Sequence, residues 1–172
     1  FDNINDEVKR LVDRPLTLDW DWLREQVKTY GMRNSVLSAQ MPVESSSMVN
    51  NSTNGIEPPR ELVTVKTNKS GASTVMVVPE AKKLASKYTL SWDITDNSPI
   101  NKIVAVIQKW LDQAISVNHY YNPTLFEGNQ IPAKVIIKDI VEFYKLGGKN
   151  LYYANTLDAI EVEAEDCESC KL

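Results

Sequence analysis

"IPAKVIIKDIVEFYKLGGKNLYYANT", residues 131–156, changes its hydrophobic period partway along, and that change decides the fold class. After Pro132, the apolar residues Ile136, Ile137, Ile140, Val141 and Tyr144 recur at helical spacing and predict an inward-facing stripe. Gly147-Gly148 supplies the stop. "NLYYA", from Asn150 to Ala154, is rich in side chains that favour a pleated surface and predicts a strand. A helix feeding straight into a strand is the signature of an α/β protein.

The stretches upstream agree. Ser98-Pro99 reads as an N-cap followed by proline at the first helical position. Behind it Ile100, Ile103, Val104, Ile107, Leu111, Ala114 and Ile115 form one apolar face, which predicts a helix running to about Val117. "ELVTVKT" and "TVMVVPE" on either side of "NKSGAS" predict a β-hairpin. Trp20, Leu23, Val27 and Tyr30 predict a further helix that Gly31 ends, and "SVLSA", Ser35 to Ala39, a short strand. Two isolated strands and a hairpin make too little sheet for a self-sufficient α/β domain. The missing strands are expected from another polypeptide or from an absent part of this one. The first residue is Phe1 rather than Met, as in a chain that has been trimmed or belongs to something longer.

Composition narrows the function. The chain has 172 residues, 42% of them hydrophobic, enough for a real core and too many for wholesale disorder. No apolar run approaches about 18 residues, so no membrane span is expected. No charged-then-apolar leader opens the sequence, and a cytoplasmic protein is expected. The formal net charge is −4, and the excess acid collects in Asp158, Glu161, Glu163, Glu165, Asp166 and Glu168. The remaining body is near neutral without a basic stripe, which argues against nucleic-acid binding. The acidic end reads as a solvated, flexible extension.

Three short stretches could carry chemistry. In "SVLSAQMPVESSSMVNNSTNGIEPPR" a strand enters a Pro42 turn and then a short helix with Val43-Glu44-Ser45-Ser46-Ser47 as its first turn. Backbone N–H groups at a helix start can cradle a phosphate, yet on pattern alone such serines read as helix caps. Tyr152 and Tyr153 read alone as an aromatic-rich strand whose neighbouring rings point to opposite faces. The two cysteines, Cys167 and Cys170, sit in the acidic end, "EDCESCKL". A zinc site needs about four ligands and is not filled by two cysteines and His119, which reads as a loop or surface residue. A thioredoxin-type centre needs a helix after the motif. A mobile dithiol that carries reducing equivalents needs only an exposed pair on a tether, and both are present.

Together "GMRNSVLSAQMPVESSSMVNNSTNGIEPPR", "NLYYANT" and the terminal cysteine pair resemble the C-terminal part of the large subunit of class I ribonucleoside-diphosphate reductases. The likeness runs from about Asp19 to the last residue, with three unrelated motifs in order. The resemblance implies part of a ten-stranded α/β barrel over residues 1–155 and a redox-shuttle tail over 156–172. It implies that Glu44, Ser45 and Ser46 hold the diphosphate of a ribonucleoside diphosphate, largely through backbone N–H groups. Val43 stands where many relatives have serine. Tyr152 and Tyr153 would relay an oxidising equivalent, which requires their rings to be close and the strand to depart from strict alternation. Cys167 and Cys170 would carry reducing equivalents to the buried site by thiol–disulfide exchange, recharged by thioredoxin or glutaredoxin. A tether of that length has a root-mean-square reach of roughly 20–25 Å.

The resemblance also implies partners. The family's radical-bearing cysteine, its neighbouring glutamate and asparagine, and its active-site cysteine pair precede this region, and no cysteine precedes Cys167. An amino-terminal part of the large subunit is therefore expected, as is a radical-generating small subunit that holds a di-iron/tyrosyl-radical centre. No cofactor and no metal are expected on this chain. Two other readings stand beside this one: a non-catalytic redox adaptor using its terminal dithiol, and a structural α/β interaction module. Neither needs a phosphate turn or twin tyrosines.

Overall fold

The computed structural model describes residues 5–157 apart from 14, 44, 68–70 and 72. Its elements are α1 (Asp6–Leu11), α2 (Trp20–Tyr30), α3 (Ser45–Val49), β1 (Val63–Thr67), β2 (Ser73–Val77), α4 (Ala81–Leu84), α5 (Ser98–Gln108), β3 (Ser116–Tyr121), α6 (Ala133–Lys145) and β4 (Asn150–Thr156). The chain is mixed α/β. The described residues form two two-stranded sheets and no closed barrel.

The hairpin forms as expected, β1 antiparallel to β2 with Val65 opposite Val75. The α2 helix also matches: Asp19 Oδ1 accepts from Trp22 N–H at 2.9 Å, and Gly31 ends the helix at φ 73°, a left-handed angle that costs glycine little. Strand β4 runs two residues beyond Ala154, to Thr156.

The segment between Ser98 and Val117 departs from expectation in two ways. Asn97 occupies the cap position, Ser98 is already helical and Pro99 is second. The helix then ends at Gln108, and Ser116–Tyr121 is a strand. Gln108 itself breaks the run. Its Nε2 donates to the carbonyls of Leu111 (3.0 Å) and Gln113 (2.8 Å), and its Oε1 accepts from Ile115 N–H at 3.1 Å. One side chain thereby satisfies the backbone of a tight reversal, and Ile115 and Val117 enter the core from a strand.

The structure also corrects the face of α6. Asp139 and Phe143 on that helix, with Leu146 at its end, are buried, whereas Ile137 is 60% and Tyr144 79% exposed, with Ile140 and Val141 exposed as well. The helix sets a mixed polar and aromatic stripe against α5. Its most aliphatic stripe faces outward.

Ser35–Ala39 is not a strand. The segment is held by Leu37 N–H to Asp112 Oδ2 (2.8 Å) and Gln113 N–H to Ser38 O (3.2 Å), and among the described residues no strand runs beside it. Extended backbone without a ladder partner is not sheet.

The core collects Ile94, Ile100, Val104, Ile115, Val117, Tyr120 and Phe143 between α5, α6 and β3. Each fully buried aliphatic or aromatic side chain contributes about 1.5–3 kcal/mol. A second cluster of Val8, Ala105 and Leu146 ties α1 to α5 and the end of α6. The β3–α6–β4 unit is a parallel crossover, and it places the tyrosine pair.

Candidate functional site

Strands β3 and β4 pair in parallel with an irregularity. Val117 stands opposite Leu151, but His119 stands opposite Ala154. One residue of β3, Asn118, therefore faces two of β4, Tyr152 and Tyr153. That is a β-bulge, and the extra residue cancels the alternation that separates neighbours in a regular strand. The two rings come together, centroids 4.2 Å apart and planes inclined by 58°. Each tyrosine is 57% exposed, so the touching pair stands at the surface of the chain.

A polar cluster lies beneath the bulge. Asn118 Oδ1 accepts from Tyr153 N–H at 3.2 Å. Glu57 takes both N–H groups of Asn118, the backbone one on Oε1 (2.8 Å) and the side-chain one on Oε2 (3.1 Å). Glu57 Oε2 also accepts from the Tyr120 hydroxyl at 2.6 Å. Burial and this carboxylate push the Tyr120 phenol up to about 12. Arg60 lies over the faces of Tyr120 (5.5 Å) and Trp92 (5.9 Å), and its Nη2 donates to Asn155 Oδ1 at 3.1 Å.

His119 is not the surface residue expected. It points into the core from β3, 3% exposed, its Nε2 2.9 Å from Asn101 Oδ1 and its Nδ1 3.4 Å from the Tyr121 hydroxyl. Burial lowers its proton affinity against the opposing pull of Asp139, Glu57 and Glu142. Asn97 completes this inner layer, bridging Tyr120 N–H (2.8 Å), Tyr120 O (3.2 Å) and Asp139 Oδ2 (2.8 Å).

The serine turn forms a short helix, α3, whose first residue is Ser45. Ser46 is exposed, while Ser47 is buried and its Oγ bonds Asn54 Oδ1 at 2.7 Å. Glu44 lies outside the described residues, as do Cys167 and Cys170. The chain leaving α3 reaches Glu57 through Asn54-Gly55-Ile56.

Glu57 and Asn118, which hydrogen-bond at the bulge, were not foreseen. The one sequence signal is Asn118 itself, since asparagine is depleted inside strands. Its partner lies 61 residues away, beyond the reach of any spacing pattern.

Residues 1–154 match the family model described as ribonucleotide reductase, barrel domain. The chain is 46% identical over 172 residues to the ribonucleoside-diphosphate reductase subunit alpha of Buchnera aphidicola subsp. Baizongia pistaciae, covering 99% of this chain and 22% of that protein. It is 41% identical to ribonucleoside-diphosphate reductase 1 subunit alpha of Salmonella typhimurium, covering 100% of this chain and 24% of the relative. The corresponding subunit of Enterobacteria phage T4 is 40% identical with the same coverage. The chain thus spans less than a quarter of the length of these relatives.

Proposed function

Because the chain belongs to the ribonucleotide reductase barrel-domain family, we propose that it works as part of a ribonucleoside-diphosphate reductase alpha subunit. In this reading it contributes the tyrosine relay, the substrate-phosphate turn and the terminal dithiol, as part of the family's ten-stranded barrel. The observation that carries it is the close, surface-exposed Tyr152–Tyr153 pair. A phenol that loses its proton and electron together becomes a neutral radical, so the hole moves without leaving a net charge behind. In net terms, one phenoxyl takes a hydrogen atom from the neighbouring phenol: the first O–H bond forms, the second breaks, and the hole moves one ring along. Rings whose centroids lie 4.2 Å apart are near enough for such an exchange between neighbours.

The other roles rest on the family resemblance. The N–H groups of Glu44, Ser45 and Ser46 hold the diphosphate of the substrate at the start of α3. Cys167 and Cys170 exchange with a disulfide left in the buried site, and thioredoxin or glutaredoxin reduces them in turn. The radical-bearing cysteine must come from the remainder of the alpha subunit, because the only cysteines here are these two. The oxidising equivalent comes from a small subunit with a di-iron/tyrosyl-radical centre.

The test is reconstitution with the rest of the alpha subunit and the small subunit, measuring deoxyribonucleoside diphosphate formed. Tyr152→Phe and Tyr153→Phe should each abolish turnover and leave substrate binding unchanged, because phenylalanine keeps the packing but has no O–H to lose. Wild-type turnover in either variant would sink the relay.

A further inference from the structure

A bulge that brings two rings together has a competitor. If β4 slid by one residue into a regular ladder, Tyr152 and Tyr153 would point to opposite faces. Something must favour the bulge, and the hydrogen bonds around Asn118 identify it. Tyr153 N–H donates to the side chain of Asn118, at 3.2 Å from Oδ1. An amide side chain can turn either its oxygen or its nitrogen towards a neighbour. Glu57 decides which. A carboxylate only accepts, so the Asn118 nitrogen must face Glu57 Oε2 (3.1 Å), and the oxygen is left for Tyr153. The second carboxylate oxygen holds the Asn118 backbone N–H at 2.8 Å, and the Tyr120 hydroxyl fixes Glu57 itself at 2.6 Å.

We propose that Asn118, oriented by Glu57, is a positioning residue for the tyrosine pair: it holds the bulge in register so that both rings share one face. This rests on the relay reading above. Asn118 touches the backbone of Tyr153 and takes no part in proton or electron transfer. Its effect is on the distance and angle between the rings.

The experiment uses the reconstituted reductase. Misplacing reacting groups by about 1 Å costs about a hundredfold in rate, so Asn118→Ala should lower kcat by about that factor while KM for the nucleotide stays unchanged. A radical-stabilising tyrosine analogue is then placed at position 152 and, separately, at 153, and read by electron paramagnetic resonance. With Asn118 intact both positions accumulate radical. With Asn118→Ala one position still does and the other does not, because the broken step lies between the rings. If Asn118→Ala does not fold, Glu57→Gln keeps the shape but weakens the grip on Asn118, and the same split should appear with a smaller drop in kcat. Wild-type kcat with radical at both positions overturns the proposal, and so does an equal loss of radical at both. A fully active Tyr153→Phe would instead overturn the relay itself, which keeps the two failures apart.

Discussion

At Gly148 a single methyl group would be felt at once. A Cβ there would lie 2.4 Å from Cε2 and Cζ of Phe143, a ring already fixed in the core. Gly148→Ala should therefore cost about 1–3 kcal/mol of stability, the usual penalty for overpacking, read by chemical denaturation. His119 gives a second residue-scale expectation. Its folded proton affinity is lowered, so the unfolded state binds the proton more tightly. Stability from this group is complete above the ordinary histidine value of about 6.5 and declines as pH falls from there towards the folded value. The unfolding free energy should fall as pH drops below about 6.5, and His119→Gln should flatten that part of the curve. An unchanged slope in the variant would place the pH dependence elsewhere.

At the scale of elements, what the sequence made legible depended on how local the cause was. The α2 helix, the hairpin and β4 follow from neighbouring residues: a capping Asp19, a terminating Gly31, a turn between two β-rich runs. The end of α5 does not. A helical stripe and a strand both put apolar residues at positions such as Ile115 and Val117, and the break depends on the far end of the Gln108 side chain. The α6 helix misleads for another reason. Its buried stripe is built around Asp139, which is 0% exposed and accepts from both the backbone and side-chain N–H of Asn97. No hydrophobic count ranks an aspartate as core. That layer should be costly to disturb. Asn97→Ala would leave Tyr120 N–H and O and the Asp139 carboxylate short of partners, with an expected loss of at least about 2 kcal/mol by denaturant titration. Of the candidate site the sequence offered the tyrosine pair but not its shared face, because the bulge that brings the rings together depends on a glutamate far along the chain.

For the whole molecule, the outward face of α6 matters most. Ile137, Ile140, Val141 and Tyr144 are exposed there, and each sheet has only two strands among the described residues. Such a surface suits a chain that completes its layers against more of the same subunit, as the proposed function requires. Ile140→Glu should change the stability of this chain alone by no more than about 0.5 kcal/mol, as exposed substitutions do. The same change should weaken association with the remainder of the alpha subunit, measured by titration calorimetry. In the proposed function the terminal dithiol also acts only in the assembly. Replacing Cys167 and Cys170 by serine should spare the first turnover and stop later ones driven by thioredoxin, with partial rescue by a small dithiol. Sustained thioredoxin-driven cycling in that double variant would remove the shuttle assignment.

The two-against-one pairing at Asn118 also makes the strand tolerant of a shorter chain. Leu151 and Ala154 are already matched to Val117 and His119, so removing one of the intervening tyrosines leaves a one-to-one ladder with no downstream shift. A deletion inside a strand ordinarily turns every later side chain to the wrong face. Here the single-codon deletion of Tyr153 should fold as well as the parent and have no relay. On the proposed function, the second tyrosine would then be an insertion kept for the relay rather than for the ladder.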